Sequence, residues 1–186
     1  MTDQSPLTPE QRQELEDAQA RAATFRGAAK VAGFNGWTFA FFAGVSILFG
    51  LFSLPGFLVG VGLAVVARNE FVGRSRILSY DAAGFELLWR NQIGLMALIV
   101  LYCVWSMYSA ATVPDPELAE LTELLGEGTG ELLQSLTLGM YATVIVATVL
   151  FQGLNARYYH VRIARLQEYL SETPAWVLDV QRSVAE

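Results

Sequence analysis

Long apolar blocks alternate with polar segments along this chain. The blocks cover residues 34–67, 91–112 and 134–155, and the first contains no Asp, Glu, Lys, Arg or His. About 20 helical residues cross a bilayer core of about 30 Å. The second and third blocks, at 22 residues each, therefore predict one membrane-spanning helix apiece.

The first block is long enough for two helices. It has 34 residues and is interrupted by Ser53, Pro55 and Gly56, which favours a tight turn over one very long helix. Because Arg68 follows Gly56 by only 12 residues, two alternatives stay open. Either the second helix runs on to about Ile77 while Arg68 reaches toward the headgroups, or the block forms a re-entrant loop.

The pattern as a whole predicts an all-α integral membrane protein with four transmembrane helices in two hairpins. A composition of 53% hydrophobic and 16% charged residues agrees, because soluble domains carry about 25% charged residues. Cytoplasmic amphipathic helices are expected before, between and after the hairpins. The membrane domain is residues 34–155, with spans at about 34–53, 56–77, 91–112 and 134–155, flanked by an N-terminal helix in 1–33 and a tail in 156–186.

Charge predicts the orientation of these helices. Residues 1–33, the basic connector 68–90 and residues 156–186 each hold 4 Lys and Arg, whereas the acidic segment 113–133 holds none and has 6 Asp and Glu. Since basic residues stay on the cytoplasmic side, both termini and the connector are expected there. The sequence thus predicts a multi-pass protein of the cell (cytoplasmic) membrane with an outer acidic segment.

The N-terminal segment has the signals of a capped helix. Thr8, Pro9 and Gln11 form a capping box with proline at the first helical position. An alanine-rich stripe follows, which suits close packing against a helix of another protein or against the protein's own cytoplasmic face. Its members are Leu15, Ala18, Ala22, Phe25 and Ala29.

The outer segment predicts a short interfacial helix over 116–125, ended by Gly126, Gly128 and Gly130. Its glutamates are expected to face water. The alternative is an acidic patch for divalent cations or a basic partner, although carboxylates along one helical face do not by themselves converge on a cation.

Small residues recur at every fourth position in three of the spans. Such residues let helix backbones approach closely in a membrane. The contact is expected within one bundle, in a homo-oligomer or with another membrane protein. The helix-packing residues are Gly36, Ala40 and Gly44; Gly56, Gly60 and Ala64; and Gly139, Thr143 and Ala147.

Arginines cluster where two predicted spans end on the cytoplasmic side. They are Arg68, Arg74 and Arg76, and Arg157, Arg162 and Arg165. We expect them to bind the headgroups of an anionic lipid leaflet. Nucleic-acid binding is not expected, because each cluster also carries acids. Residues 67–78 align with 156–167 at a constant offset of 89, which indicates either an internal repeat or independent enrichment of arginine at helix ends.

No constellation of catalytic residues emerges from the sequence. Gly56, Gly60 and Gly62 have no preceding strand and so do not fit a dinucleotide-binding loop. One cysteine, Cys103, and one histidine, His160, do not suffice for a zinc site of the usual type. We therefore expect no enzyme activity, no cofactor and no metal.

Ionisable residues inside a membrane are typical of transport and proton relay, and the apolar blocks supply none, which disfavours a charge-coupled transporter. The sequence favours a non-catalytic multi-span membrane scaffold or accessory subunit that acts through helix packing and through contacts with lipids or a partner. The alternative is a small oligomeric channel or small-solute transporter.

Overall fold

A computed structural model describes residues 7–113, 122–124, 126 and 128–185, and over these residues the chain forms helices and no strand. Four of the helices are long and apolar enough to cross a membrane, which indicates a multi-pass membrane protein. Residues 122–124 are also helical. The main helices are α1 (Pro9–Gly50), α2 (Leu54–Leu78), α3 (Ala83–Thr112), α4 (Gly128–Glu172) and α5 (Ala175–Ala185).

Helix α1 begins as the sequence predicts. Thr8 is the N-cap, and its hydroxyl accepts a hydrogen bond of 3.3 Å from the backbone N–H of Gln11. The Gln11 side chain accepts one of 3.0 Å from the backbone N–H of Thr8 in return. The predicted capping box, with Pro9 in the first turn, is confirmed.

The long helices continue well beyond the apolar blocks. At 42 and 45 residues, α1 and α4 are about 63 and 68 Å long, roughly twice the thickness of a bilayer core. Residues 9–33 and 156–172 are thus extensions of these helices, and α5 alone is separate among the predicted flanking helices. Helix α2 also runs past Arg68 to Leu78 without a break, as in the first of the two alternatives.

Consecutive helices pack against each other in opposite directions. Between α1 and α2, Ile47 is next to Gly60 and Gly36 is next to Phe71, so residue numbers rise along one helix as they fall along the other. Helix α2 then packs on α3, and α3 packs on α4. At one end of the α3–α4 pair Gln134 donates a hydrogen bond of 3.2 Å to the carbonyl of Ala110.

The segment predicted as the basic connector is the end of α2, a tight turn and the start of α3. Tyr80 has a φ of 57° in this turn, in the left-handed region that non-glycine residues rarely adopt. The next N–H, that of Asp81, donates to the carbonyl of Arg76 at 2.9 Å, and the Asp81 side chain accepts from the N–H of Ala83 at 2.9 Å. The Tyr80 ring stacks on Tyr169 of α4 with centroids 6.0 Å apart, so the turn packs against α4.

A packed core joins the helices at the end that contains this turn. Phe25 of α1 lies at its centre, 6.2 Å from the ring of Phe85 on α3 and 5.5 Å from that of Tyr169 on α4. Tyr169 also contacts Gln181 of α5 through its hydroxyl, at 2.6 Å. The predicted alanine-rich stripe therefore packs inside the chain itself; its buried members are Ala18, Ala22, Phe25 and Ala29.

The opposite end of the molecule is open. The buried share of the most apolar stretch is 28% in α2 and only 6% in α4. A groove of about 340 Å³ separates α2 from α3 there, with Leu58 on one wall and Trp105 on the other. Large apolar side chains thus face outward over this half of the protein.

One of the three glycines predicted to end the outer helix has a non-helical conformation. Gly126 has a φ of 105°, which interrupts the helical conformation. Gly128 and Gly130, which were also expected to break the helix, lie instead in the first turn of α4, so that part of the prediction is wrong. Most of the predicted helix over 116–125 lies outside the described residues.

Candidate functional site

A carboxyl group is completely buried where the long helices meet. Glu70 of α2 has 0% exposure and lies three residues beyond the charge-free block that ends at Ala67. It shares a face of α2 with the buried residues Val66, Gly73 and Ile77, because positions three, four and seven residues apart align on a helix. The helical register therefore turns this glutamate into the bundle.

Two side-chain amides of α3 hold one oxygen of this carboxyl. Asn91 Nδ2 donates to Glu70 Oε1 at 2.9 Å, and Gln92 Nε2 donates to the same oxygen at 2.7 Å. Both amide hydrogens of Asn91 are donated, because it also donates to the Val66 carbonyl at 3.0 Å, and its oxygen accepts from Asn69 at 3.1 Å. The network fixes the register between α2 and α3.

Three buried oxygens of the cluster have no hydrogen-bond partner. They are Glu70 Oε2, Gln92 Oε1 and the hydroxyl of Tyr159, and all three residues have 0% exposure. A buried polar atom left unpaired costs about 1–3 kcal/mol, and more when the group is charged. Three unpaired oxygens in one cluster therefore reduce the stability of the fold unless another group binds them.

The cluster draws on all four long helices. Tyr159 of α4 lies close to Glu70 of α2 and to the side-chain amide of Asn35 on α1, although Asn35 does not reach hydrogen-bond geometry with its hydroxyl, and α3 supplies the two amides. Glu70 and Tyr159 also occupy matching positions in the two segments that align at an offset of 89. The structure thus brings the two aligned segments together at one buried site.

Within the described part of the chain, no arginine or lysine pairs with Glu70. Arg68, Arg74 and Arg76 are on the same helix but are exposed, and the ion pairs that form elsewhere join other residues, such as Arg21 with Glu172. The negative charge of an ionised Glu70 is therefore not balanced by a side chain.

The sequence interpretation missed this site. It counted Glu70 with the basic connector and found no ionisable residue in the apolar blocks. Glu70 is enclosed by four helices that are candidate spans, and it lies within the predicted span 56–77.

The predicted helix-packing residues have different surroundings. A Cβ atom added to Gly60 would lie 2.8 Å from the backbone nitrogen of Ile47, and one added to Gly36 would lie 3.0 Å from the Phe71 ring. Gly44 and Gly139 have open space instead. Gly56, Ala40, Ala64 and Ala147 are half-buried, and Thr143 is exposed.

The predicted lipid-binding arginines are mostly exposed. Arg68, Arg74, Arg76, Arg157 and Arg165 are all at the surface, and the side chain of Arg74 lies across Gly33 of α1. Arg162 is half-buried because its guanidinium lies 3.4 Å from the ring centroid of Tyr158 and donates to that residue's carbonyl.

The candidate catalytic and metal-binding groups are dispersed. His160 packs edge-on against Trp89 with centroids 5.5 Å apart, and Cys103 is buried in α3. Over the described residues, no three His, Cys, Asp or Glu side chains come together as a metal site would require.

Comparisons with protein families, curated proteins and solved structures find no match to this chain. Its function is therefore inferred from its own geometry.

Proposed function

We propose that the protein is a non-catalytic membrane scaffold or accessory subunit. Its four long helices cross the bilayer as two hairpins and offer their open apolar ends to lipid and to helices of a second copy or of another membrane protein. The packed core at the other end keeps the helices in a fixed arrangement.

The contrast between the two ends is the observation that carries this proposal. Phe85, Leu88 and Tyr159 are fully buried in the core, whereas only 11% of the most apolar stretch of α3 is buried. On α1, large side chains stay exposed along one stripe and flank Gly44, where the surface is open. The stripe is Phe34, Trp37, Phe41 and Leu48, with exposures of 74%, 73%, 67% and 66%, and Phe52, just beyond the end of the helix, is 92% exposed.

Substitutions at Gly44 and Gly60 distinguish contact with a partner from helix packing within the chain. Gly44→Leu adds a side chain to an open surface, so we expect unchanged folding but reduced association with the partner or second copy. Gly60→Leu meets the backbone of Ile47 and is expected to destabilise α1–α2 packing by about 1–3 kcal/mol. Thermal unfolding in detergent and crosslinking in native membranes measure the two effects.

The matched pair also shows how the proposal fails. Equal crosslinking yields for Gly44→Leu and the wild type would mean that this face of α1 meets only lipid. If crosslinking gives no neighbour at any exposed position of α1 to α4, the scaffold proposal is wrong.

We further propose that the protein lies in the cell membrane with both termini in the cytoplasm. The support is the distribution of arginine and lysine, together with the exposure of the Arg68 and Arg157 side chains, because exposed arginines can contact anionic headgroups. Reporter fusions after residues 122 and 186 are expected to lie on opposite sides of the membrane. Reporters on the same side would overturn this topology.

The second candidate is a small channel or solute transporter, and the buried cluster around Glu70 favours it. An intramembrane carboxyl is a common element of ion-coupled transport. Reconstitution in liposomes distinguishes the two functions, because a solute or ion flux that disappears in a folded Glu70→Gln variant would replace the scaffold with a transporter.

A further inference from the structure

Hydrogen bonding is incomplete in the buried cluster around Glu70. Glu70 Oε2, Gln92 Oε1 and the Tyr159 hydroxyl are buried without partners. The two amide hydrogen bonds stabilise only Oε1, and no basic side chain of the described residues approaches the carboxyl. We propose that Glu70, Gln92 and Tyr159 form a binding site for one monovalent cation, with Glu70 as its anionic ligand.

The charge of the site selects a monovalent over a divalent ion. Glu70 carries one negative charge, whereas the amide of Gln92 and the phenol of Tyr159 are neutral. One positive charge therefore neutralises the site, and a divalent ion would leave an excess charge in a buried environment. Calcium also takes six to eight oxygens, commonly from several carboxylates.

A proton and a sodium ion would use the same oxygens. A proton would reside on Glu70 Oε2, which could then donate a hydrogen bond to the oxygen of Gln92 or Tyr159. A sodium ion would be coordinated by all three oxygens. In both cases a single positive charge binds to Glu70. The experiment has one arm for the proton and one for sodium.

Among the groups that face the site, Glu70 is the principal titratable one. Helix α3 contributes the neutral amides of Asn91 and Gln92, and α1 contributes the neutral Asn35. Helix α4 contributes Tyr159, with Tyr158 and Arg162 acting electrostatically on it. The arginines of α2 are exposed.

Thermal unfolding of the full chain in a neutral detergent tests the site. In one arm sodium chloride replaces choline chloride at constant pH and ionic strength. In the other the pH is lowered at constant sodium, which supplies the proton. A ligand at about 100 times its dissociation constant shifts the unfolding equilibrium about 100-fold. We therefore expect one arm to raise the melting temperature by roughly 5–10 °C.

Glu70→Gln is the direct test, because glutamine keeps an acceptor for Asn91 and Gln92 but removes the charge. We expect this variant to lose the response. Glu86→Gln is the matched control, since Glu86 is an exposed glutamate at the start of α3, and it should respond as the wild type does.

Tyr159→Phe removes one oxygen and keeps the carboxyl. It should respond only at a several-fold higher cation concentration, and it decides the matter if Glu70→Gln does not fold. The proposal is overturned if the wild type responds to neither cation, if Glu70→Gln responds like the wild type, or if Tyr159→Phe leaves the midpoint unchanged.

Discussion

Gly84→Leu is expected to separate α2 from α3 and to lower the free energy of unfolding by about 3 kcal/mol, the upper end of the usual range for overpacking. A Cβ atom at Gly84 would lie 2.9 Å from the carbonyl oxygen of Gly73 and 2.9 Å from the backbone nitrogen of Ile77. Because both are backbone atoms of α2, no rotamer change can relieve the clash. The melting temperature in detergent measures the loss.

Gly94→Leu is the control for this prediction. Gly94 lies on the same helix, and nothing is within 4 Å of its added Cβ. Leucine favours helix over glycine by roughly 0.5–1 kcal/mol, so this variant should be as stable as the wild type or more so. If both variants lose stability equally, the effect belongs to leucine in α3 and not to the contact with α2.

The same contact positions the buried carboxyl. Gly84 and Glu70 lie on the two sides of one α2–α3 interface, where Asn91 and Gln92 reach Glu70 only in the observed register. Gly84→Leu should therefore also abolish the cation response.

The apolar blocks predict the four long helices because membrane spans need about 20 apolar residues, and the structure has a long apolar helix at each predicted span. The start of α1 is equally predictable, since Thr8 and Gln11 form a capping box from local contacts alone. The continuity of α1 and α4 beyond the blocks was not predicted. The spacing around Phe25 predicts a helix there, but it does not specify that this helix continues into the membrane span, since no residue between them marks either a break or a continuation.

The buried site was missed for a different physical reason. Glu70 lies between Arg68 and Arg74, in a segment whose composition is typical of a solvated basic surface. The helical period nevertheless carried a signal, because Glu70 lies on the face of Val66 and Ile77, whereas Arg68 and Arg76 lie off that face. The partners of Glu70 could not be found in this way, since the pairing with α3 and α4 is fixed only by the assembled bundle.

The core at the packed end gives the last prediction. Phe85 is fully buried and lies between Phe25 and Tyr159, so its ring connects α1, α3 and α4. Replacing a buried phenylalanine with alanine costs about 3–5 kcal/mol. We expect Phe85→Ala to loosen the polar ends of the helices while the apolar stretches keep their helical structure.

Limited trypsin digestion in liposomes measures this loosening. Arg165 and Arg182 lie in the part of α4 and α5 that packs against the core, so cleavage after them should be faster in Phe85→Ala. Phe49→Ala is the control, because Phe49 is 75% exposed on the open part of α1 and its loss should leave the digestion rate unchanged. Equal rates for all three proteins would show that the core does not hold these ends together, and the apolar stretches would then have to fix the arrangement of the helices.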